Sequence, residues 1–222
     1  MFRAQAALLD THRGYDAGAL AVAKELAMAT RATLVTSTVS RLLVDLNRSL
    51  GNPRVFSAAS RAAPSVVRRK IVQQYYLPYR ERVEWLVARA VSRGRRVIHI
   101  SSHSFTPRLY GKVRRADVGL LYHPGRAGEV ALAAQWKSTL EEAAPELRVR
   151  RNYPYAGKGD GLMSHLRQRF PSAAYVGIEL EVNQKFVLAA GPRWKRLRGV
   201  LTEALLAAHA GDRVLLNTGD QK

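Results

Sequence analysis

With 222 residues, 47% of them hydrophobic, and no Gly/Ser/Pro linker or shift in composition, the chain is expected to form a single domain over residues 1–222. The absence of cysteine excludes disulfides, thiolate metal ligation and a cysteine nucleophile; with no membrane-length apolar run and no signal core, a cytoplasmic protein is expected. A net charge of +19 invites a nucleic-acid partner, but arginine outnumbers lysine 28 to 8 and the basic residues are scattered through every segment, so nucleic-acid association is the least favoured function.

In chain order, residues 3–10 are apolar and alanine-rich and run into a turn at His12–Asp16, where Asp16 is placed to cap a helix from Ala17 to about Thr30. Leu34–Thr38, rich in β-branched residues, predicts a strand, followed by the segment Ser40–Arg48, polar at both ends and apolar between. Gly51-Asn52-Pro53 breaks the chain, and residues 65–92 carry a long helical pattern with a bend expected at Pro78. Val97–Ser102 predicts a buried strand that delivers His103 into the following loop. Further expectations are a strand at 119–122, a helix at 128–143, a short edge strand at 147–149 and a loop at 152–161. Beyond these come a helix at 162–169, a strand at 175–182 and a closing helix at 192–210. Strand and helix alternate throughout, which argues for an α/β layered sheet.

Three groups of polar residues stand at or after apolar runs. His103, flanked by hydroxyl residues at a strand end, is either a satisfied loop histidine or a ligand or acid/base. Glu179 and Glu181, two apart on a strand, project from one face; they are either exposed carboxylates on an edge strand or include a general base whose proton affinity is raised by partial burial. Asn47 and Arg48 can grip a carboxylate, because guanidinium offers a planar two-point fork, though a solvated helix end would look the same.

Jointly, the blocks His12–Asp16, Ser40–Arg48, His103–Pro107, Asn152–Tyr155 and Glu179–Gln184 resemble the N-formylglutamate amidohydrolase family, in its order and over nearly the whole chain. The resemblance implies a three-layer α/β/α sandwich around a mixed sheet, similar to the zinc carboxypeptidase and aspartoacylase group. It implies zinc as cofactor with His103 as a ligand, Glu181 as the base acting on zinc-bound water, and Glu179 as the second candidate base. Arg41 would polarise the scissile carbonyl, and Asn47 and Arg48 would hold the carboxylate of a small N-acyl amino acid, in the type case N-formylglutamate.

Members of that family begin with a strand ending in a motif that supplies two more zinc ligands, and residues 1–16 contain no convincing counterpart. The chain is therefore expected to start downstream of that motif, and as given to bind zinc poorly. An inactive carboxylate-binding relative is the alternative.

Overall fold

The structure, a computed structural model, describes residues 6–217, with side chains described for residues 7–210; residues 3–5 of the expected apolar stretch lie outside that range. The described residues divide into two compact units, the first comprising residues 6–16, 35–98 and 159–175 and the second residues 17–34, 99–158 and 176–217.

The first unit is helical. It holds α1 (Ala6–Leu9), α3 (Ala58–Arg61), α4 (Ser65–Ile71), α5 (Leu77–Val91) and α7 (Leu162–Arg169). Between α4 and α5 the helix widens into a π turn at Val72–Tyr76, and Pro78 stands in the first turn of α5. A widened turn just before Pro78 accommodates the proline ring, which has no N–H to donate and crowds the preceding turn. Tyr76, Arg80, Val83 and Val87 repeat at helical spacing and are buried. Val83 and Val87 pack with Leu162 and Leu166 of α7 and with Tyr175, against partly buried Val35, Tyr79 and Val97. Each of those aliphatic side chains contributes roughly 1.5–3 kcal/mol by leaving water. A second cluster joins Val44, Val55, Ile71 and Tyr76. On the outer side of α5, exposed Trp85 is flanked by the Arg82 and Arg89 guanidinium groups, 4.9 and 5.0 Å from its ring centre.

Two expectations fail around residue 30. Leu34–Thr38 forms no strand: Leu34, Thr36, Ser37 and Thr38 are exposed, so β-branched character has no pleated surface to pack on. Asp16 does not cap α2 (Ala19–Thr30); Gly18 holds the cap position with φ +79° and no side chain caps the helix.

The second unit carries the sheet, apart from the first residues of β1 (Val97–Phe105) and β6 (Tyr175–Asn183), which count with the first unit. Strand order is β1, β6, β4 (Val118–Leu121), β5 (Val149–Arg151). β4 pairs antiparallel with β6 and parallel with β5, so the sheet is mixed, and the alternating strands and helices make this an α/β fold. The buried interior strand is β6, not β1: β1 lies at the end of the described order and its first seven residues are only half-buried. A two-stranded hairpin, β2 (Arg108–Leu109) with β3 (Lys112–Val113), follows β1. Helix α6 (Ala127–Ala143) packs along the long closing helix α9 (Gly191–Asn217), which follows the short α8 (Lys185–Ala189). Trp136 of α6 is fully buried and donates its indole N–H to Leu201 O at 3.3 Å, and Thr139 Oγ1 donates to Ala204 O at 2.9 Å. No helix among the described residues is long and apolar enough to cross a membrane.

Candidate functional site

In the first unit, Arg41 is set by the block at 12–16. Its backbone N–H donates to Gly14 O at 3.1 Å, Ser40 Oγ donates to the same carbonyl at 2.8 Å, and the Arg41 guanidinium meets Asp16 Oδ1 at 2.6 Å. Gly14 has no room for a side chain, because a Cβ there would overlap Leu9 O. Two of the blocks read from the sequence are thus one structural piece, and its product is an arginine with a fixed, partly exposed head.

Asn47 and Arg48 lie in a loop that is held from several sides. Asp45 accepts the Asn47 N–H at 3.1 Å on Oδ1 and pairs through Oδ2 with Arg48 Nε at 3.3 Å. Buried Arg80 donates to Leu46 O at 3.1 Å and reaches Asn47 O and Arg48 O at 3.5 and 3.4 Å, while Tyr76 Oη donates to Arg48 O at 2.7 Å. A guanidinium directed at several carbonyls does for this loop what a cap does for a helix end. Asp160 accepts from Ser49 N at 3.2 Å and Asn52 Nδ2 at 2.7 Å. Burial pushes the Asp160 carboxyl up, but the hydrogen bonds from Ser49 and Asn52 and the charge of Arg48 outweigh it and hold the group below the usual carboxylate range. Burial also raises the phenols of Tyr76 and Tyr79, against the opposing charge of Arg80.

Asn47 has a second task. Its Oδ1 accepts the Leu162 N–H at 2.9 Å and so caps α7, whose own N-cap residue is Gly161.

In the second unit, His103 lies inside β1 and not in a loop after it, since the strand runs on to Phe105. Its Nε2 stands 3.0 Å from Ser101 Oγ on the same strand face. Glu181 is 5% exposed and Glu179 half-buried, both on β6 between β1 and β4, so they are not carboxylates of an edge strand. Gln184 N donates to Phe105 O at 2.9 Å, which places His103 and Glu181 toward the same end of adjacent strands.

Opposite Glu181 in the ladder stands Gly119, where a Cβ would overlap Tyr153 O and approach Glu181 Cβ at 3.3 Å. The Asn152–Tyr155 segment lies on that glycine, anchored by Asn152 Oδ1, which accepts from Tyr122 N at 3.0 Å and Gly157 N at 3.1 Å. Asn183 and Gln184, next after Glu181 and Val182, are structural: Asn183 Nδ2 donates to Arg114 O and Ala116 O at 3.1 and 2.8 Å, and Gln184 Nε2 donates to Ser104 Oγ at 3.0 Å.

Sequence reasoning missed Arg80, Asp160, Gly119 and Glu129. Fully buried Glu129 accepts from His123 N at 2.7 Å and Gly177 N at 3.2 Å and pairs with Arg126 at 3.3 Å, and so fixes the turn that follows β4. A signal existed for two of them. Arg80 and Glu129 fall in register with the apolar stripes of their helices, Tyr76/Val83/Val87 and Leu132/Ala133/Trp136/Leu140, where a charged residue requires a buried partner.

Among the described residues no three His, Cys, Asp or Glu side chains gather where they could hold a metal ion. Zinc held by His103 alone would lack the three protein ligands typical of a catalytic site.

Residues 2–188 match the family model described as N-formylglutamate amidohydrolase, a stretch that draws on both units and includes Arg41, Asn47, Arg48, His103 and Glu181. The chain is similar to the crystal structure of gene product Atu2144 from Agrobacterium tumefaciens, with 28% identity and a TM-score of 0.80 over 94% of this chain and 83% of that one. It also shares its fold with the crystal structure of N-formylglutamate amidohydrolase from Ralstonia eutropha JMP134, at 19% identity and a TM-score of 0.67, covering 88% and 83% of the two chains. Among curated proteins none matches.

Proposed function

Because the chain belongs to the N-formylglutamate amidohydrolase family, an amidohydrolase-like group of enzymes, we propose that it hydrolyses small N-acyl amino acids, with N-formylglutamate the first candidate. Water adds to the acyl carbon, the C–N bond breaks, and the products are a carboxylic acid and a free amino acid.

Glu181 takes a proton from the attacking water and returns it to the leaving nitrogen. Its place on an interior strand supports that role, because a carboxylate fixed by the sheet needs no reordering to react. Arg41 carries the positive charge for the oxyanion of the tetrahedral intermediate, its head held in place by Asp16. Arg48 takes the substrate carboxylate, and Asn47 shapes the loop that presents it. Ser101 fixes the orientation of the His103 ring.

The observation that carries this reading is the family match across residues 2–188. The test is an assay of N-formylglutamate hydrolysis by the full chain, with and without added zinc, beside calorimetry of substrate binding. Turnover that the Arg48→Ala variant weakens through KM supports the reading. Binding without turnover in either condition would make this an inactive carboxylate-binding relative.

A further inference from the structure

One charged feature of the second unit has no part in the proposed hydrolysis. A cleft of about 630 Å³ lies beside β5, lined by Lys137 and Glu141 of α6, by Tyr122, Leu147 and Arg148, and by Val149, Arg150 and Arg151 of the strand. Its size falls in the range of sites that hold ligands. Lys137 is paired with Glu141. Arg148, Arg150 and Arg151 have no carboxylate partner among the described residues, and each is exposed.

The backbone here is equally open. β5 ends the described strand order and has β4 as its neighbour. Arg148 O accepts from Val118 N at 3.4 Å and Asn152 N donates to Leu120 O at 2.9 Å, so these alternate residues face β4. By the two-residue period, the N–H and C=O groups of Val149 and Arg151 point away from β4 toward the open edge.

We propose that this edge binds an acidic peptide segment in extended conformation, added as a further strand beside β5. Main-chain bonds at Val149 and Arg151 supply the register, and carboxylates at alternate positions of the peptide meet Arg150 of β5 and Arg148, which immediately precedes the strand and falls on the same side by the two-residue period. A second copy of the same edge is a poor occupant, because it would set arginine against arginine. Arginines that only guard an edge from aggregation would bind nothing.

The test is fluorescence anisotropy of a labelled, alternating Glu/Val peptide titrated with the full chain. It is run beside the same peptide N-methylated at alternate amides, and beside an oligothymidylate of equal charge. The unmodified peptide should bind, and N-methylation should weaken it by roughly tenfold through loss of main-chain donors. The double variant Arg148→Ser/Arg150→Ser should lose a similar factor while its circular dichroism stays unchanged; if that variant fails to fold, Lys137→Gln at the cleft wall is read instead. Absence of peptide binding, equal binding of the N-methylated peptide, or equal binding of the oligothymidylate would each overturn the proposal.

Discussion

Asn47 and Leu162 are 115 residues apart in the chain, and a 2.9 Å hydrogen bond from the Leu162 N–H to Asn47 Oδ1 makes the asparagine the cap of α7. A motif residue expected to touch substrate is therefore also a structural one. Asn47→Ala should cost about 1 kcal/mol of stability, the usual effect of losing a cap, whereas Asn47→Asp should keep most of it. Urea unfolding measures both. Gly161→Ala, which would bring a Cβ to 3.0 Å from Asn47 Oδ1, should lower stability through the same contact.

Arg41 and Asp16 separate stability from catalysis. The pair is partly exposed, so Asp16→Asn should change stability by less than about 1 kcal/mol. Arg41→Ala should lower kcat on N-formylglutamate by about 10²–10³ with KM little altered, the pattern of a charge that acts on the transition state. A rise in KM alone would assign Arg41 to ground-state binding.

Glu181→Gln should reduce turnover by about 10²–10⁴ while the fold is kept, since the amide is isosteric but cannot accept the proton. Glu179→Gln should leave at least most of the rate. Steady-state kinetics on both variants decides between the two carboxylates, and loss of activity confined to Glu179→Gln would exchange their roles.

Asp160 gives a pH dependence of known sign. Its carboxyl is held below the usual range in the folded chain, so its contribution to stability is fully present above the unfolded value of about 4 and is lost as pH falls through the lower folded value. Asp160→Asn should lower the melting temperature at neutral pH, and the difference from the parent chain should shrink in acid. A gap of equal size at both ends of the titration would remove the carboxylate from the account.

The long helices are legible because each turns one face to apolar surroundings, as at Val83/Val87, and β6 is legible as a strand from its apolar run, though not as the interior one, since it is buried on both faces. Leu34–Thr38 misled because β-branched residues report a surface to pack on, and in that segment Val35 packs on the core while Leu34, Thr36, Ser37 and Thr38 are exposed, with no neighbouring strand among the described residues. The motif blocks were visible as residues, but not as pairs: the contact of Ser40 and Arg41 with Gly14, or of Gly119 with Tyr153, joins segments far apart in the chain. The stripe on α5 flags Arg80 as needing a buried partner but not which one, and Asp160 carries no such flag, since the loop that meets them offers mainly backbone atoms, with Asn52 Nδ2 beside Ser49 N on Asp160.

Two of the three tryptophans mark the two units with opposite surroundings. Trp85 stands half in water beside two guanidinium groups in the first unit, whereas Trp136 is sealed against α9 in the second. Emission from Trp85 should lie to the red and yield readily to acrylamide, and that from Trp136 should lie to the blue and resist it. Trp194 of the second unit is half-buried beside Arg198, so with Trp194→Phe in place the two ends of the emission band report separately on the helical unit and on the sheet.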